Sequence, residues 1–591
     1  MAQTQDAQDI ARHWLQTLAN ACATPNVDAF SDVLLPDGVY RDLLCLSWDF
    51  RSLSGHEAVQ SFLNEQDRLA RAKMHDFSID ESTDFGTPFF YPVPGAPPGV
   101  NGIQLSFNLK LANPPAFAKG LARLMQDPED GRYKAFTMFT SMHDLVGYEE
   151  PVRTLLNGSS STAESISQKV SQIETDPLVL IVGAAQNGLV TAARLGQMGI
   201  SALVVERDER VGDGWRHRYD SLTLHTYSRV CSFLYEDYPK DHPLYMPKNM
   251  LADALEAYVK SQGLVVWTSS TLLPTPAYDT NTGHWSAVVS KNGVKIQLRP
   301  KHIVMATGFA GEPCMPAWPG QSAFKGVVYH SGRHPGGQNI EGKNVVVVGA
   351  GQSSADICMD LVRRKAGNIT MLQRSSTCVA SLSLIEKTVY SQWPDSRSVE
   401  ASDIAVNSFP QSLLIRLAAG GGTTMEKAVD SQLHKDLQSA GVKLSWGEEY
   451  GKGSIGMFGV LLHRFGGYWL DRGCAQEIVS GRIAVKQGAE IQHFDEDGVV
   501  LSDGERVPAD IVVLATGYKG IRHTAAKIFG AELIGRTTDV WGLDEEGETK
   551  GMYRPSGHPG LWYAVGGFNH ARFYSRHLGL HILAQELGLK E

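Results

Sequence analysis

A chain of 591 residues is too long for one hydrophobic core and implies roughly two to four domains. Its composition, 42% hydrophobic and 20% charged with 59 glycines, suits a water-soluble α/β protein rich in tight turns, and its net charge of −10 excludes a basic footprint for nucleic acid. Seven scattered cysteines without C-x-x-C or zinc spacing exclude a disulfide framework and a metal site, and point to a reducing compartment, the cytoplasm. The polar start "MAQTQDAQDIARHWLQ" is no signal peptide, and no apolar run reaches the ~20 residues of a membrane span.

Residues 1–150 differ from the rest. "DIARHWLQTLANACAT" and "HEAVQSFLNEQ" have helical spacing, whereas "GIQLSFNLKLAN" and "YKAFTMFTSMHDLVGYEE" alternate with period two. Helices followed by antiparallel strands predict an α+β domain. The pattern resembles the NTF2-like cone fold, which implies helices packed on a curved sheet around a pocket that Asp42, His75 and His143 could line. Oligomerisation, as a homodimer, or capping of a substrate channel is the expected role, ahead of a second active site. The polar "LLNGSSSTAESISQKVSQIETDP" predicts a linker over 151–177.

From residue 178 the strands become continuous apolar runs: "LVLIVG", "ALVVE", "HIVMATG", "NVVVVGAG", "ITMLQR" and "DIVVLATG". Such runs predict parallel strands buried on both faces. Two of them end in dinucleotide turns, each between a strand and a helix, as a G-x-G-x-x-G fingerprint requires. In the first, Gly183, Ala185 and Gly188 hold the three positions; in the second, Gly349, Gly351 and Ser354, with Gln352 and Ser353 between them. Ala185 stands where a glycine lets the backbone approach a pyrophosphate.

The ends of the following strands separate the two sites. Glu206, followed by Arg207, lies 23 residues beyond Gly183, where a carboxylate binds a ribose diol and repels a 2′-phosphate. The second site has no acid there; Arg374 and Ser375 can hold a 2′-phosphate instead. The first site therefore suits FAD and the second NADPH. The expected division is an FAD domain over 178–322 and 506–591 and an NADPH domain over 323–505. "RLAAGGGTT" reads as a surface loop.

An FAD turn followed by an NADP turn resembles the class B flavoprotein monooxygenases, which include flavin-containing monooxygenases, Baeyer–Villiger enzymes and YUCCA-type enzymes. "FKGVVYHSGRH" resembles their F-x-G-x-x-x-H-x-x-x-aromatic signature, with His334 in place of the last aromatic. "VMATGF", with Thr307 and Gly308, and "VLATGY", with Ala515, Thr516 and Gly517, resemble their two strand-end crossings. "GDGWRHRYDSLTLHT" resembles the segment that follows the FAD ribose strand, which implies FAD contacts for Trp215 and Thr226. "LTLHT" followed by "PLYMPKNMLADALEAYV" is closer to the YUCCA-type branch, and His225 stands where flavin-containing monooxygenases carry an active-site asparagine.

The resemblance implies an enzyme in which NADPH reduces the flavin, dioxygen adds to form a C4a-(hydro)peroxyflavin, and one oxygen atom passes to a small organic molecule. Heteroatom oxygenation, Baeyer–Villiger insertion and oxidative decarboxylation all stay open. His225 is the candidate catalytic side chain, with a structural histidine as the equal alternative. An NADPH oxidase or reductase releasing hydrogen peroxide is the second reading, and a binding protein whose FAD site has decayed at Ala185 is the third.

Overall fold

The computed structural model of the chain describes residues 2–81, 85–93, 99–151, 163–239, 241–334, 339–450 and 453–590. In the N-terminal unit, helices α1 (Ala2–Ala23), α2 (Val27–Asp32), α3 (His56–Asn64) and α4 (Arg68–Ala72) accompany one seven-stranded sheet. Its strands are β1 (Leu34–Leu43), β2 (Phe50–Ser54), β3 (His75–Ile79), β4 (Phe89–Pro92), β5 (Asn101–Ala112), β6 (Pro115–Gln126) and β7 (Tyr133–Leu145). The order is β2-β1-β7-β6-β5-β3, with β4 also on β5. β1 and β7 run parallel; the other pairs are antiparallel.

Period and burial agree here. α1 buries Ala7, Ala11, Trp14, Leu15 and Leu18, one helical stripe, and β5 buries Ile103, Leu105, Phe107, Leu109 and Leu111, one strand face. Gly120 of β6 stands opposite Phe107, where a Cβ would come within 2.1 Å of the ring. Asp42 is a fully buried core acid. Its carboxylate accepts hydrogen bonds from Leu46 N (3.0 Å), Thr140 Oγ1 (3.0 Å) and Tyr40 OH (3.3 Å), and burial pushes its pKa up to about 6. His75 lies exposed on the edge strand β3.

The rest of the chain carries two five-stranded parallel sheets. The first runs Val265–Trp267, Ala202–Val205, Val179–Val182, His302–Met305, Leu561–Tyr563 across the sheet. The second runs Val327–His330, Ile511–Leu514, Val345–Val348, Ile369–Gln373, Ile483–Gln487. In both, the chain turns from strand to dinucleotide helix where the strand order reverses, the place where such sheets bind ligands. Ile511–Leu514 pairs with Val345–Val348 in the second sheet, so that sheet extends past the expected boundary at 505. Two nucleotide-sized sheets each need a strand beside the turn strand, and this one fills that position.

Within the expected linker, residues 152–162 lie outside the described residues, and Ala163–Thr175 is a helix whose Glu174 accepts from Trp267 Nε1 at 2.7 Å. "RLAAGGGTT" is helical, not a loop: helix Gln411–Leu417 passes through a π-turn at Ala418–Gly422 into helix Thr423–Val429. Gly421, at φ +118, absorbs the irregularity.

The N-terminal unit is docked on both the C-terminal segment around Glu548 and the helix Val399–Asn407. Arg41 and Glu548, each 1% exposed, form a bidentate pair with both contacts at 2.6 Å. Arg554 reaches Asp49 at 2.8 Å, Phe50 stacks on Tyr574 at 5.4 Å, and Arg123 donates to the Ala405 carbonyl at 3.1 Å. His143 belongs to this seam; its carbonyl accepts from Arg576 Nη1 at 3.1 Å. Among the described residues no helix is long and apolar enough to cross a membrane.

Candidate active site

The first turn is shaped by backbone contacts. Gly183 has φ +110, and a Cβ there would sit 2.5 Å from the Ala306 carbonyl oxygen. At Gly188 a Cβ would sit 1.9 Å from the Gly183 carbonyl oxygen. The second turn repeats the first: Gly349 has φ +120, and a Cβ would be 2.5 Å from the Ala515 carbonyl oxygen. Ser354, at the third position, is fully buried.

The middle positions differ in residue and agree in conformation. Ala185, at φ −94 and ψ −171, caps helix Gln186–Gln197; Gly351, at φ −98 and ψ −170, caps helix Gln352–Arg363. Any residue adopts this extended conformation, so Ala185 carries no backbone strain. A Cβ at Gly351 would meet no protein atom within 4 Å. The matching place in the first turn carries the alanine methyl, and the openness at Gly351 sets the expectation for it. Ala185→Gly is expected to tighten FAD, by at most about 1–3 kcal/mol on the overpacking scale. A flavin titration giving an unchanged or larger dissociation constant would show the methyl to be accommodated.

The residues fit a dinucleotide at each turn. Neither helix start has a side-chain cap, the condition under which leading N–H groups can serve an anion. Gly308 (φ +85) and Gly517 (φ +81), at the crossings, both have open space where a Cβ would point. Thr307, beside Gly308, is exposed, and Thr516 Oγ1 is tied to the Cys314 carbonyl at 2.7 Å. Glu206 braces the first turn by accepting from Ala184 N at 2.7 Å and from Asp208 N at 3.1 Å, and a carboxylate retains acceptor capacity for a ribose diol. Arg207 points to solvent, and Trp215 packs half-buried on the core. Arg374, with a side chain 77% exposed, has one loose neighbour, Glu490 at 3.9 Å. Ser375 beside it is exposed, and Ser353 is partly exposed at the helix start.

His225 lies at the junction of the two units. Its Nε2 is 3.2 Å from Asp356 on the second dinucleotide helix, and its carbonyl accepts from Tyr390 OH at 2.5 Å. Tyr219 also hydrogen-bonds Asp356. Thr226 shares its neighbourhood with Tyr390. Gln352 spans from Asp356 (3.3 Å) to the Leu470 amide (2.9 Å), so its side chain ties the turn to the strand Tyr468–Asp471. Arg472 completes the junction by donating to Thr223 Oγ1 at 2.6 Å and to the Leu224 carbonyl at 2.8 Å.

His330 and His334 are structural. His330 Nε2 donates to the Gly517 carbonyl at 2.9 Å while Nδ1 accepts from Gly332 N at 3.0 Å, and burial lowers its pKa. His334 fills the aromatic position of the signature as a ring: it stacks on Tyr329 at 5.8 Å and meets Tyr219 edge-on at 5.7 Å. It also pairs with Asp360 at 2.9 Å. Against the desolvation of burial, the bonds from His334 and Ser221 and the charge of Arg364 hold Asp360 below the usual carboxylate range. Asp356, Tyr219 and Arg472 escaped sequence reasoning because their partners lie far away in the chain.

Residues 178–394 match the model of the flavin-binding monooxygenase-like family. The indole-3-pyruvate monooxygenase YUCCA1 of Oryza sativa subsp. japonica is 30% identical over 354 residues, 58% of this chain and 77% of that protein. A probable indole-3-pyruvate monooxygenase, YUCCA9 of Arabidopsis thaliana, is 26% identical over 426 residues, 69% of this chain and 88% of the relative. The cyclohexanone-bound structure of cyclohexanone monooxygenase in its Rotated conformation shares the fold, with a TM-score of 0.50 and 14% identity over 70% of this chain and 88% of that one. The chain therefore belongs to the flavin-binding monooxygenase-like family: it is a class B flavoprotein monooxygenase, an oxidoreductase that works with FAD and NADPH.

Proposed function

We propose that the enzyme binds FAD at the turn 183–188 and NADPH at the turn 349–354, and transfers one oxygen atom from dioxygen to a small organic substrate held between the two units. The observation that carries this reading is the matched pair of turns with unlike strand ends: Glu206, a ribose acceptor, at the first and the loosely held Arg374 at the second. Bound there, the nicotinamide would supply hydride and the flavin would supply oxygen chemistry. The chain's own part is to position the two cofactors and to keep the cleft dry. The His225–Asp356 pair and Arg472 brace the two units against each other in this role. The relatives' names, indole-3-pyruvate monooxygenases, favour oxidative decarboxylation of a 2-oxo acid over heteroatom oxygenation.

The division into an N-terminal unit, an FAD unit and an NADPH unit belongs to the same proposal, with the N-terminal unit as an NTF2-like cap.

Arg374→Ala is expected to raise the apparent KM for NADPH roughly 10–100-fold, the loss of a charged hydrogen bond of about 1.5–3 kcal/mol, and to leave that for NADH within twofold. Equal changes for both nucleotides would defeat the 2′-phosphate assignment. The peroxide-releasing alternative is separated by stoichiometry: product formed in proportion to NADPH consumed supports the monooxygenase, and peroxide in that proportion at saturating substrate supports the oxidase.

A further inference from the structure

Asn187, the residue before Gly188 in the first turn, is 4% exposed, and its carboxamide is engaged at both ends. Oδ1 accepts from Tyr553 OH at 2.8 Å, and Nδ2 donates to the Gly566 carbonyl at 3.0 Å. Gly566 lies between strand Leu561–Tyr563 and helix Phe568–Glu586. That strand and Val179–Val182 flank His302–Met305 in the first sheet. One side chain therefore ties together, across the central strand, two connections at the C-terminal ends of parallel strands, where such sheets bind ligands.

The tie needs the Tyr553 hydroxyl. The Gly566 carbonyl only accepts, so the N–H side of the amide must face it, and Oδ1 must find its donor in Tyr553. Without that donor a buried acceptor stays unmet, which costs more than a hydrogen bond exposed to water.

Tyr553 is itself held from the N-terminal unit. It is fully buried, and its φ of 56 is left-handed, a conformation that costs energy for a tyrosine and persists only where the surroundings enforce it. Its ring lies nearly parallel to that of Tyr574, at 6.3 Å and 21°, and Tyr574 stacks in turn on Phe50 of β2, at 5.4 Å and 29°. Arg41 donates to Tyr574 OH at 3.1 Å. Arg554, next to Tyr553 in the chain, pairs with Asp49 through contacts of 2.8 Å and 3.1 Å and donates to the Phe50 carbonyl at 3.3 Å. Two rings thus separate Phe50 from the side chain that fixes the first turn.

From this geometry we infer that Tyr553 is a positioning residue for FAD: it sets Asn187 within the first turn, and the N-terminal unit sets Tyr553 through Phe50 and Tyr574. The inference rests on the reading that places FAD at the turn 183–188. It adds a task for the N-terminal unit, that of buttressing the FAD turn from behind.

The test uses the full-length holoenzyme, with FAD dissociation followed by flavin fluorescence on dilution. Tyr553→Phe removes one oxygen atom and keeps the ring, and should raise the FAD dissociation constant about tenfold and alter the visible circular dichroism of the bound flavin. Asn187→Ala removes the tie from its other end and should weaken FAD at least as much. Tyr258→Phe serves as the control, since it removes an equally buried hydroxyl, bonded to the Leu234 carbonyl at 2.9 Å, and should leave FAD binding and the flavin signal unchanged. Phe50→Leu should weaken FAD about threefold, and its combination with Tyr553→Phe should stay near tenfold, not the roughly 30-fold of independent effects. Unchanged FAD affinity in Tyr553→Phe or Asn187→Ala, or equal weakening by Tyr258→Phe, would overturn the positioning role. Additive effects of Phe50→Leu and Tyr553→Phe would overturn transmission from the N-terminal unit. A wild type that holds no FAD would overturn the placement of the cofactor, and the buttress with it; a wild type that holds FAD confines any failure to the buttress.

Discussion

Glu548→Ala is expected to destabilise the protein by about 3–5 kcal/mol, the cost of leaving one member of a buried ion pair without its partner. Glu548 receives both forks of the Arg41 guanidinium at 2.6 Å, and Ser52 Oγ donates to it at 2.7 Å. Arg41 makes its remaining contacts with Tyr574 OH at 3.1 Å and with the Asn407 carbonyl. Both side chains are 1% exposed, so bulk solvent does not reach the pair. Replacing both partners together, as Arg41→Met with Glu548→Leu, should recover most of the loss, since the desolvation of two charges disappears with the pair.

The pH dependence has a definite sign. Burial raises the Glu548 pKa, but the Arg41 charge and hydrogen bonds outweigh it and hold it below the ordinary value. A carboxylate whose pKa is depressed on folding stabilises at pH values above its unfolded pKa and loses that contribution as pH falls through the folded one. Acidification should therefore release the N-terminal unit first, seen as proteolytic cleavage near the linker before the flavin is lost. Denaturant unfolding that shows less than about 1 kcal/mol change for Glu548→Ala would mean that the seam does not depend on this pair.

What could be read in the sequence divides along the range of the interactions. Gly183, Gly188, Gly349 and Gly351 were legible because a strand, a turn and a helix lie within ten residues, and the geometric demands act inside that window. Glu206 was legible as a strand-end residue beside the first turn, where it accepts from Ala184 N, while its ribose role and the 2′-phosphate role of Arg374 belong to the proposal. The N-terminal helices and strands followed from their periods. The Arg41–Glu548 clamp was not legible, since its members are 507 residues apart and each is an ordinary charged residue in its local context. His225 and Asp356 illustrate the same limit: the sequence marks His225 as unusual, but only the packing of the two units supplies its partner. Asp42 shows the opposite error, because a polar residue among apolar neighbours looks like a pocket residue until Tyr40, Thr140 and Leu46 close around it. Ile511–Leu514 was recognised as a buried strand, yet an apolar run carries no sign of which of two parallel sheets it joins.

Gly188→Ala is expected to abolish retention of FAD, in contrast to the tightening expected for Ala185→Gly three residues earlier. The two substitutions add or remove one methyl within the same turn, and their opposite outcomes follow from what the methyl meets. At 185 the backbone is extended as at Gly351, where a Cβ would meet no protein atom within 4 Å. At 188 it would lie 1.9 Å from the Gly183 carbonyl oxygen and 3.3 Å from the Ala306 Cβ. The carbonyl cannot retreat, because Gly183 is itself wedged against the Ala306 carbonyl in a left-handed conformation. The helix Gln186–Gln197 must then move off the strand, which carries its leading N–H groups away from the pyrophosphate position and strains the bond from Asn187 to the Gly566 carbonyl, 3.0 Å long. A shift of an ångström at these donors removes several charge-assisted hydrogen bonds of about 1.5–3 kcal/mol each, so flavin affinity should fall more than 100-fold. The purified variant should be colourless while its far-ultraviolet circular dichroism stays that of a folded α/β protein. A yellow variant with stoichiometric FAD would show that the turn relaxes around the methyl and that the third glycine is not required for the cofactor.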